Sequence, residues 1–345
     1  MMSFFTRTKT TVGLDIGSGL IKVAVIDHSK GAPELAAISI TPVLPDAIVE
    51  GEVMDPALVA DAIRTAIEAI GTPPKSVVTA VGGRDVIIKR IQTERVKQSQ
   101  ARELIRFEAE QHVPDVEAVE IDFQIIDTEN FDDEMSVLFV AAKRDLVDAK
   151  VRIVTDAGLD ISIVDVESLA LHNAFEFNHP EAMVGGVALI NVGNEITNIA
   201  ILDNGTPILT RDIPVGTRRF REDLQYTHAL TSDDAETALR SHERVRQLDA
   251  VLETRCEEIA AAVERAATFL SAGKSATEIS TIYVCGGGSR TPGLSDTLGR
   301  RLNLPVKSAN PLANLLIRDG AFDLYNTEEI APLLMLPIGL ALRQA

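Results

Sequence analysis

The chain has 345 residues, 46% apolar and 24% charged, and carries a formal net charge of −18. That length allows substantial cores and two or three domains. The charge excludes a binder of nucleic-acid backbones, which needs clustered Lys and Arg, but leaves room for a nucleotide held by a few local donors.

In chain order, the first informative stretch is GLDIGSGLIKVAVID, residues 13–27. Its glycines at 13, 17 and 19 fit neither the dinucleotide fingerprint nor the P-loop, both of which must open a helix. Leu20 to Ile26 is instead rich in β-branched residues, and Thr11 to Asp15 before the turn also reads as strand. The spacing predicts strand, tight polar turn, strand. Residues 55–70 place Leu58, Val59, Ala62, Ile63, Ala66 and Ile67 at helical spacing, and 76–83 read as a buried strand. Ser99 is expected to cap a helix with Ala101, Leu104, Ile105 and Ala109 on one face, stopped by Pro114. Residues 119–126 and 135–143 read as strands, and Asp145 to Ala157 as a helix ended by Gly158.

Residues 188–203, ALINVGNEITNIAILD, align without gaps on 12–27 at an offset of 176. Asn191 matches Asp15, Gly193 matches Gly17, Asn194 matches Ser18 and Asp203 matches Asp27. A repeat at about half the chain length points to duplicated halves. Facing each other, the two turns would be the jaws of one cleft. The N–H groups around Gly17, Ser18 and Gly19, and around Gly193 and Asn194, would hold polyphosphate, with Lys22 beside it. Asp15 would hold Mg²⁺ through water. Either hairpin alone reads as an ordinary turn; the aligned pair, with Asp15 and Lys22, favours the cleft.

Helices dominate 231–272, where Thr231 and Asp234 suit a capping box. Residues 281–294 read as a strand ending in Gly286, Gly287 and Gly288, which allows close approach of a flat ligand or simply a tight turn. Ser275 to Glu278 looks like a linker. Gly273-Lys274-Ser275 imitates the end of a P-loop, but Thr268 stands where a glycine is required. The apolar runs are too short to span a bilayer, and the first residues, MMSFFTRTK, lack a signal-peptide core. Cys256 and Cys285 have no metal-type spacing and fit a reducing cytoplasm.

Together these pieces resemble the actin/Hsp70/sugar-kinase superfamily: LDIGSGLIK and LINVGNEITNIAIL match its two phosphate hairpins, and VCGGGSRTPGL its adenosine segment. The resemblance implies an α/β, actin-like ATPase fold whose two lobes share a duplicated, ribonuclease H-like core, with ATP and Mg²⁺ between them. It assigns nucleotide contacts to Gly216, to Glu236 and Arg240 on DAETALR, and to Gly286, Gly287, Gly288 and Ser289. It also places a glutamate on the connecting helix, here Glu167, with a catalytic role. A plain ion pair explains Glu236 and Arg240 equally well.

ELIRFEAEQHVPDVEAVEIDFQII and the stretch that follows from 137 closely resemble the PilM family of type IV pilus assembly, related to FtsA and GspL. The expected division is a first lobe of 1–83 with 163–186 and 330–345, an inserted α/β subdomain at 84–162, a second lobe of 187–220 and 280–329, and its helical part at 221–279. The family implies a cytoplasmic protein, peripheral to the inner membrane, that binds the N-terminal cytoplasmic peptide of PilN. The expected groove draws on Val81, Arg84, Val86, Ile88, Leu104, Ile105 and Glu108. Other pilus platform proteins, the pilus motor ATPases and self-association are further expected contacts; nucleic acid is not, and the membrane is reached only through PilN.

Two departures bear on activity. Asn191 stands where hydrolysing relatives carry aspartate, and Phe220 where a threonine is expected. Binding survives the loss of one hydrogen bond, about 1 kcal/mol, whereas hydrolysis needs charge placed at the transition state. The favoured reading is a nucleotide-gated scaffold with slow or absent hydrolysis. An FtsA-like filament-forming anchor, a GspL-like secretion component and a small-molecule kinase remain open. The closing segment APLLMLPIGLALRQA, without the amphipathic tail of FtsA proteins, weighs towards PilM.

Overall fold

The structure is a computed structural model and describes residues 10–113, 115–126, 134–241, 245–271 and 277–343. The opening stretch MMSFFTRTK, Pro114 and Gly273-Lys274-Ser275 lie outside them. The GLDIGSGLIKVAVID stretch forms the predicted hairpin, Thr10–Ile16 antiparallel to Leu20–Asp27, with Asp15 directly opposite Lys22. It is the centre of a six-stranded sheet, in the order Asp160–Val166, Ser76–Val81, Thr10–Ile16, Leu20–Asp27, Glu34–Pro42, Leu316–Ile317.

Both faces of this sheet are covered, which is why its strands are apolar on both sides. On one face lie the helices Pro56–Ala69 and Arg144–Asp156, packed over Leu14, Ile21, Val23, Ile63 and Val154. Asp55 caps the first of these by accepting from the Leu58 N–H at 3.1 Å, with Pro56 at the opening position. On the other face lie Glu167–Asn178 and Met335–Ala341.

The second copy, Gly186–Val192 with Thr197–Asp203, centres a five-stranded sheet in the order Thr206–Ile213, Thr197–Asp203, Gly186–Val192, Ile279–Cys285, Val306–Ser308. Helices Thr217–His228, Ser232–Arg240 and Leu248–Ser271 cover one face through Phe220, Leu224, Leu239, Leu252 and Ile259. Those side chains join one cluster with Ile190, Ile199 and Ile201, so among the described residues the helical part expected at 221–279 shares the core of its sheet. Between the two sheets runs a further shared core. Ala24, Ile26 and Leu35 of the first lobe meet Leu189, Leu202 and Tyr283 of the second through Ala170, Phe175 and Leu334.

Val86–Glu94, Glu134–Lys143 and Val119–Ile125 form a separate three-stranded sheet. With the helix Gln98–Ala109 it encloses its own core of Ile91, Ile105, Met135, Val137 and Phe139. Three expectations shift. The independent unit spans about 86–143, because Ile153 and Val154 of the next helix pack into the first lobe. Leu316–Ile317 pairs with Glu34 and Leu35, so the second lobe gives up its chain before 329. Ser99 sits inside its helix, whose cap position is Lys97 with no side-chain bond.

Candidate functional site

The two hairpin turns are built alike. Gly17 N–H donates to the Leu20 carbonyl at 3.1 Å, and Gly193 N–H to the Ile196 carbonyl at 2.9 Å, each residue 176 positions from its counterpart. The tips meet: Asn194 Nδ2 donates to Ser18 Oγ at 3.2 Å, again 176 residues apart. Repeat-related residues of the two lobes thus touch at this contact. Beneath it is a cleft of about 1050 Å³ lined by Asp15, Gly17, Ser18, Gly19, Lys22, Glu167, Asn191, Gly193, Asn194, Glu236, Arg240, Gly286 and Gly287.

Within the first hairpin Lys22 Nζ lies 2.6 Å from Asp15 Oδ2, a pair with the carboxylate almost wholly buried. The same two positions in the second hairpin are Asn191 and Asn198, joined by a neutral hydrogen bond of 2.8 Å. The second jaw therefore presents amides where the first presents an ion pair. Ser18, Gly19 and Asn194 N–H groups donate to no other group among the described residues, so the turns keep free donors at the cleft.

At the far end, Glu236 accepts from Arg221 at 2.9 Å and from Arg240 at 2.5 Å, and Arg290 lines the same wall. Burial, with Arg240 nearby, holds the Arg290 guanidinium below its usual range. Across the mouth, Arg218 pairs with Glu195 at 2.8 Å in its own lobe and Asp46 at 2.9 Å in the other. Glu195 also accepts from the Glu50 N–H at 2.6 Å, which closes a second strap between lobes.

Glu167 opens its helix at the back of the cleft. Its carboxylate packs onto Gly82, where a Cβ would come 2.3 Å from Oε2. Burial raises its pKa from 4.5 to about 7, against the pull of Lys150. Glu167, Gly82, Gly83, Arg84 and Asn198 also line a second cavity of about 240 Å³, bounded by Val86, Ile88 and Thr210–Asp212. One wall thus separates the cleft from a groove beside the inserted sheet.

Three residues expected to contact nucleotide are not among those that line the cleft. A Cβ on Gly216 would meet the Asn194 carbonyl at 2.4 Å, and one on Gly288 would meet Val192 Cγ1 at 2.3 Å. Both glycines serve chain packing. Ser289 donates to the Gly286 carbonyl at 2.7 Å and closes its own turn. Of the expected groove residues, Arg84, Val86 and Ile88 line the second cavity. Val81 and Ile105 are buried, and Leu104 and Glu108 lie half-buried on the inserted helix, away from it. Sequence reasoning missed Asn198, Asp212, Arg218, Arg221 and Arg290. Asn198 alone had a signal, as the repeat partner of Lys22.

Two lobes built on one repeated hairpin, closing over a polar cleft, define an actin-like ATPase fold. The family model for type IV pilus assembly protein PilM matches residues 13–345, and the chain belongs to that family. Its structure resembles a solved PilM–PilN type IV pilus biogenesis complex, at 25% identity, with 98% of each chain covered and a TM-score of 0.85. It also resembles MreB 5 of Spiroplasma citri bound to AMPPNP, at 14% identity, covering 96% of this chain and 95% of that one, with a TM-score of 0.52. In sequence it is 23% identical over 252 residues to the cell division protein FtsA of Bacillus subtilis (strain 168), covering 65% of this chain. The match spans 56% of that protein's length. Among the described residues no helix is long and apolar enough to cross a membrane.

Proposed function

We propose that this chain is an ATP-binding scaffold of the type IV pilus inner-membrane platform, cytoplasmic and bound to the N-terminal peptide of PilN. The observation that carries the nucleotide reading is the meeting of repeat-related turns over a cleft that holds free N–H donors beside Lys22. Those donors and one half-buried cation suit a polyphosphate.

The residues also fit Mg²⁺. Asp15 supplies a carboxylate and Asn191 an amide oxygen, both oxygen donors of the kind that hold a hydrated magnesium ion. Among the described residues no cluster of three or more His, Cys, Asp or Glu would hold a metal alone, so the ion is expected to arrive with the phosphates. Bound there, Mg²⁺ neutralises phosphate charge. Gly287 offers a flat approach for the base, with Arg240 and Glu236 beside it, while Gly286 is required by its left-handed backbone and by Asn191 and Val192 packed behind it. Glu167, with a pKa near 7, is suited to exchange a proton with water, but the neutral Asn191 leaves that water without a second charged anchor. The reading is therefore binding, with slow or no hydrolysis.

The groove beside Arg84, Val86 and Ile88 is the proposed seat of the PilN peptide, in keeping with the PilM–PilN complex of the related protein. Isothermal titration of a synthetic PilN N-terminal peptide, with and without Mg·ATP, tests both parts. Binding of each ligand is expected. Absence of peptide binding would remove the partner assignment, and absence of ATP binding the nucleotide assignment.

A further inference from the structure

Four side chains of the second lobe stand in one row across its sheet. Cys285, Asn191, Asn198 and Asp212 are register partners on four neighbouring strands, so they project from the same face. They are joined in order. Cys285 Sγ lies 3.7 Å from Asn191 Oδ1, Asn191 Nδ2 donates to Asn198 Oδ1 at 2.8 Å, and Asn198 Nδ2 donates to Asp212 Oδ1 at 2.8 Å. The other carboxylate oxygen, Asp212 Oδ2, accepts from the Gly83 N–H at 2.7 Å. Gly83 belongs to the other lobe's side of the wall, where the inserted subdomain departs, and Asp212 lines the second cavity.

The direction of this chain follows from its ends. A carboxylate only accepts, so Asn198 must turn its NH₂ towards Asp212 and its oxygen towards Asn191. Asn191 must then turn its own NH₂ towards Asn198. Its oxygen is left to Cys285, a thiol whose pKa burial pushes up to about 12 and which therefore remains a donor, and to the side of Gly286 in the cleft wall. Swapping any one member's polarity reverses every amide beyond it.

We propose that Asp212 is a positioning residue shared by the two cavities: through Asn198 it fixes the amide of Asn191 with oxygen towards the nucleotide cleft, and through Gly83 it ties that setting to the groove. An acceptor at Asn191 favours a hydrated cation and disfavours bare phosphate. An occupant of the groove that moves Gly83 pulls on the same carboxylate, so the two ligands affect each other's affinity reciprocally. This rests on the reading of the cleft and groove given above.

Asp212→Asn keeps the shape and reverses the polarity. The Gly83 N–H cannot turn, so the new amide keeps its oxygen there and offers NH₂ to Asn198, which flips and flips Asn191 in turn. Two ratios are measured by titration calorimetry: ATP affinity with Mg²⁺ against ATP with EDTA, and PilN-peptide affinity with against without Mg·ATP. In the wild type the second ratio is expected to differ from one by about fivefold or more. In Asp212→Asn the magnesium preference is expected to fall about tenfold and the peptide ratio to approach one. Asn198→Ala, which cuts the row while leaving Asp212 on Gly83, must do the same to the peptide ratio. Variants that keep both wild-type ratios overturn the proposal, as does a wild type that binds both ligands without mutual effect. A wild type that fails to bind one of them overturns the function proposed above, and this inference with it.

Discussion

Replacing Glu167 by glutamine should stabilise the protein at alkaline pH and leave it almost unchanged in acid. The carboxyl has a pKa of about 7 in the folded chain, against 4.5 for an unperturbed glutamate, because burial between the two cavities penalises its charged form. Between those values the folded state holds a proton that the unfolded state has released, so stability falls as pH rises from 4.5 to 7 and is level above. The 2.5-unit difference corresponds to about 3 kcal/mol at 1.36 kcal/mol per unit. That figure is a ceiling, since Glu167 keeps an exposed edge in the cleft. Glutamine preserves the contact with Gly82 and carries no charge, so Glu167→Gln should gain up to about 3 kcal/mol at pH 8 and less than about 1 at pH 5. Urea unfolding at the two pH values, with the m-value checked for constancy, measures this. An equal effect at both pH values, or a loss at pH 8, would refute the reasoning that burial of the charged carboxylate is what strains this wall.

Lys22→Met leaves the Asp15 carboxylate buried without its cation and should cost about 3–5 kcal/mol. Adding Asp15→Asn should restore most of that stability in chemical denaturation while Mg·ATP affinity stays lost. Gly339→Ala should lower stability by about 3 kcal/mol or more, seen as a drop in Tm. Its new Cβ would sit 1.8 Å from the Ala170 carbonyl and force two first-lobe helices apart. Arg218→Ala removes a link between Asp46 and Glu195 and should cost about 2 kcal/mol, less than a fully buried pair because the Arg218 side chain is 34% exposed and Asp46 more so. Faster nucleotide release in stopped flow should accompany it.

The hairpins were readable in the sequence because their chemistry is local. β-Branched runs on both sides of a polar glycine turn dictate strand–turn–strand, and the 176-residue repeat brings Asp15, Ser18, Asn191 and Asn194 to one place without any knowledge of the path between. The domain boundaries were less readable, since helix Arg144–Asp156 has the same amphipathic pattern whichever core it joins; Ile153 and Val154 find theirs in the first lobe. Gly216 and Gly288 looked like ligand-facing glycines because close approach to a ligand and close approach to Asn194 or Val192 make the same demand on a residue. Asp212 could not be found at all. Its importance lies in standing opposite Asn198 across a strand pair, and register is written in the pairing rather than in either strand alone.

The apolar core shared by the two lobes limits how this molecule can respond to anything in its cleft. Phe175 and Leu334 are sealed between the sheets, with Tyr283 of the second lobe and Leu35 of the first against the same cluster. A wide, hinge-like gape would drag those side chains into water, at about 25 cal/mol for every Å² exposed. Small sliding of one sheet over the other keeps them covered. Motions of that kind alter registers and hydrogen-bond directions more than they alter openings, so a partner would sense the nucleotide as a change of alignment at the wall rather than as jaws opening or closing.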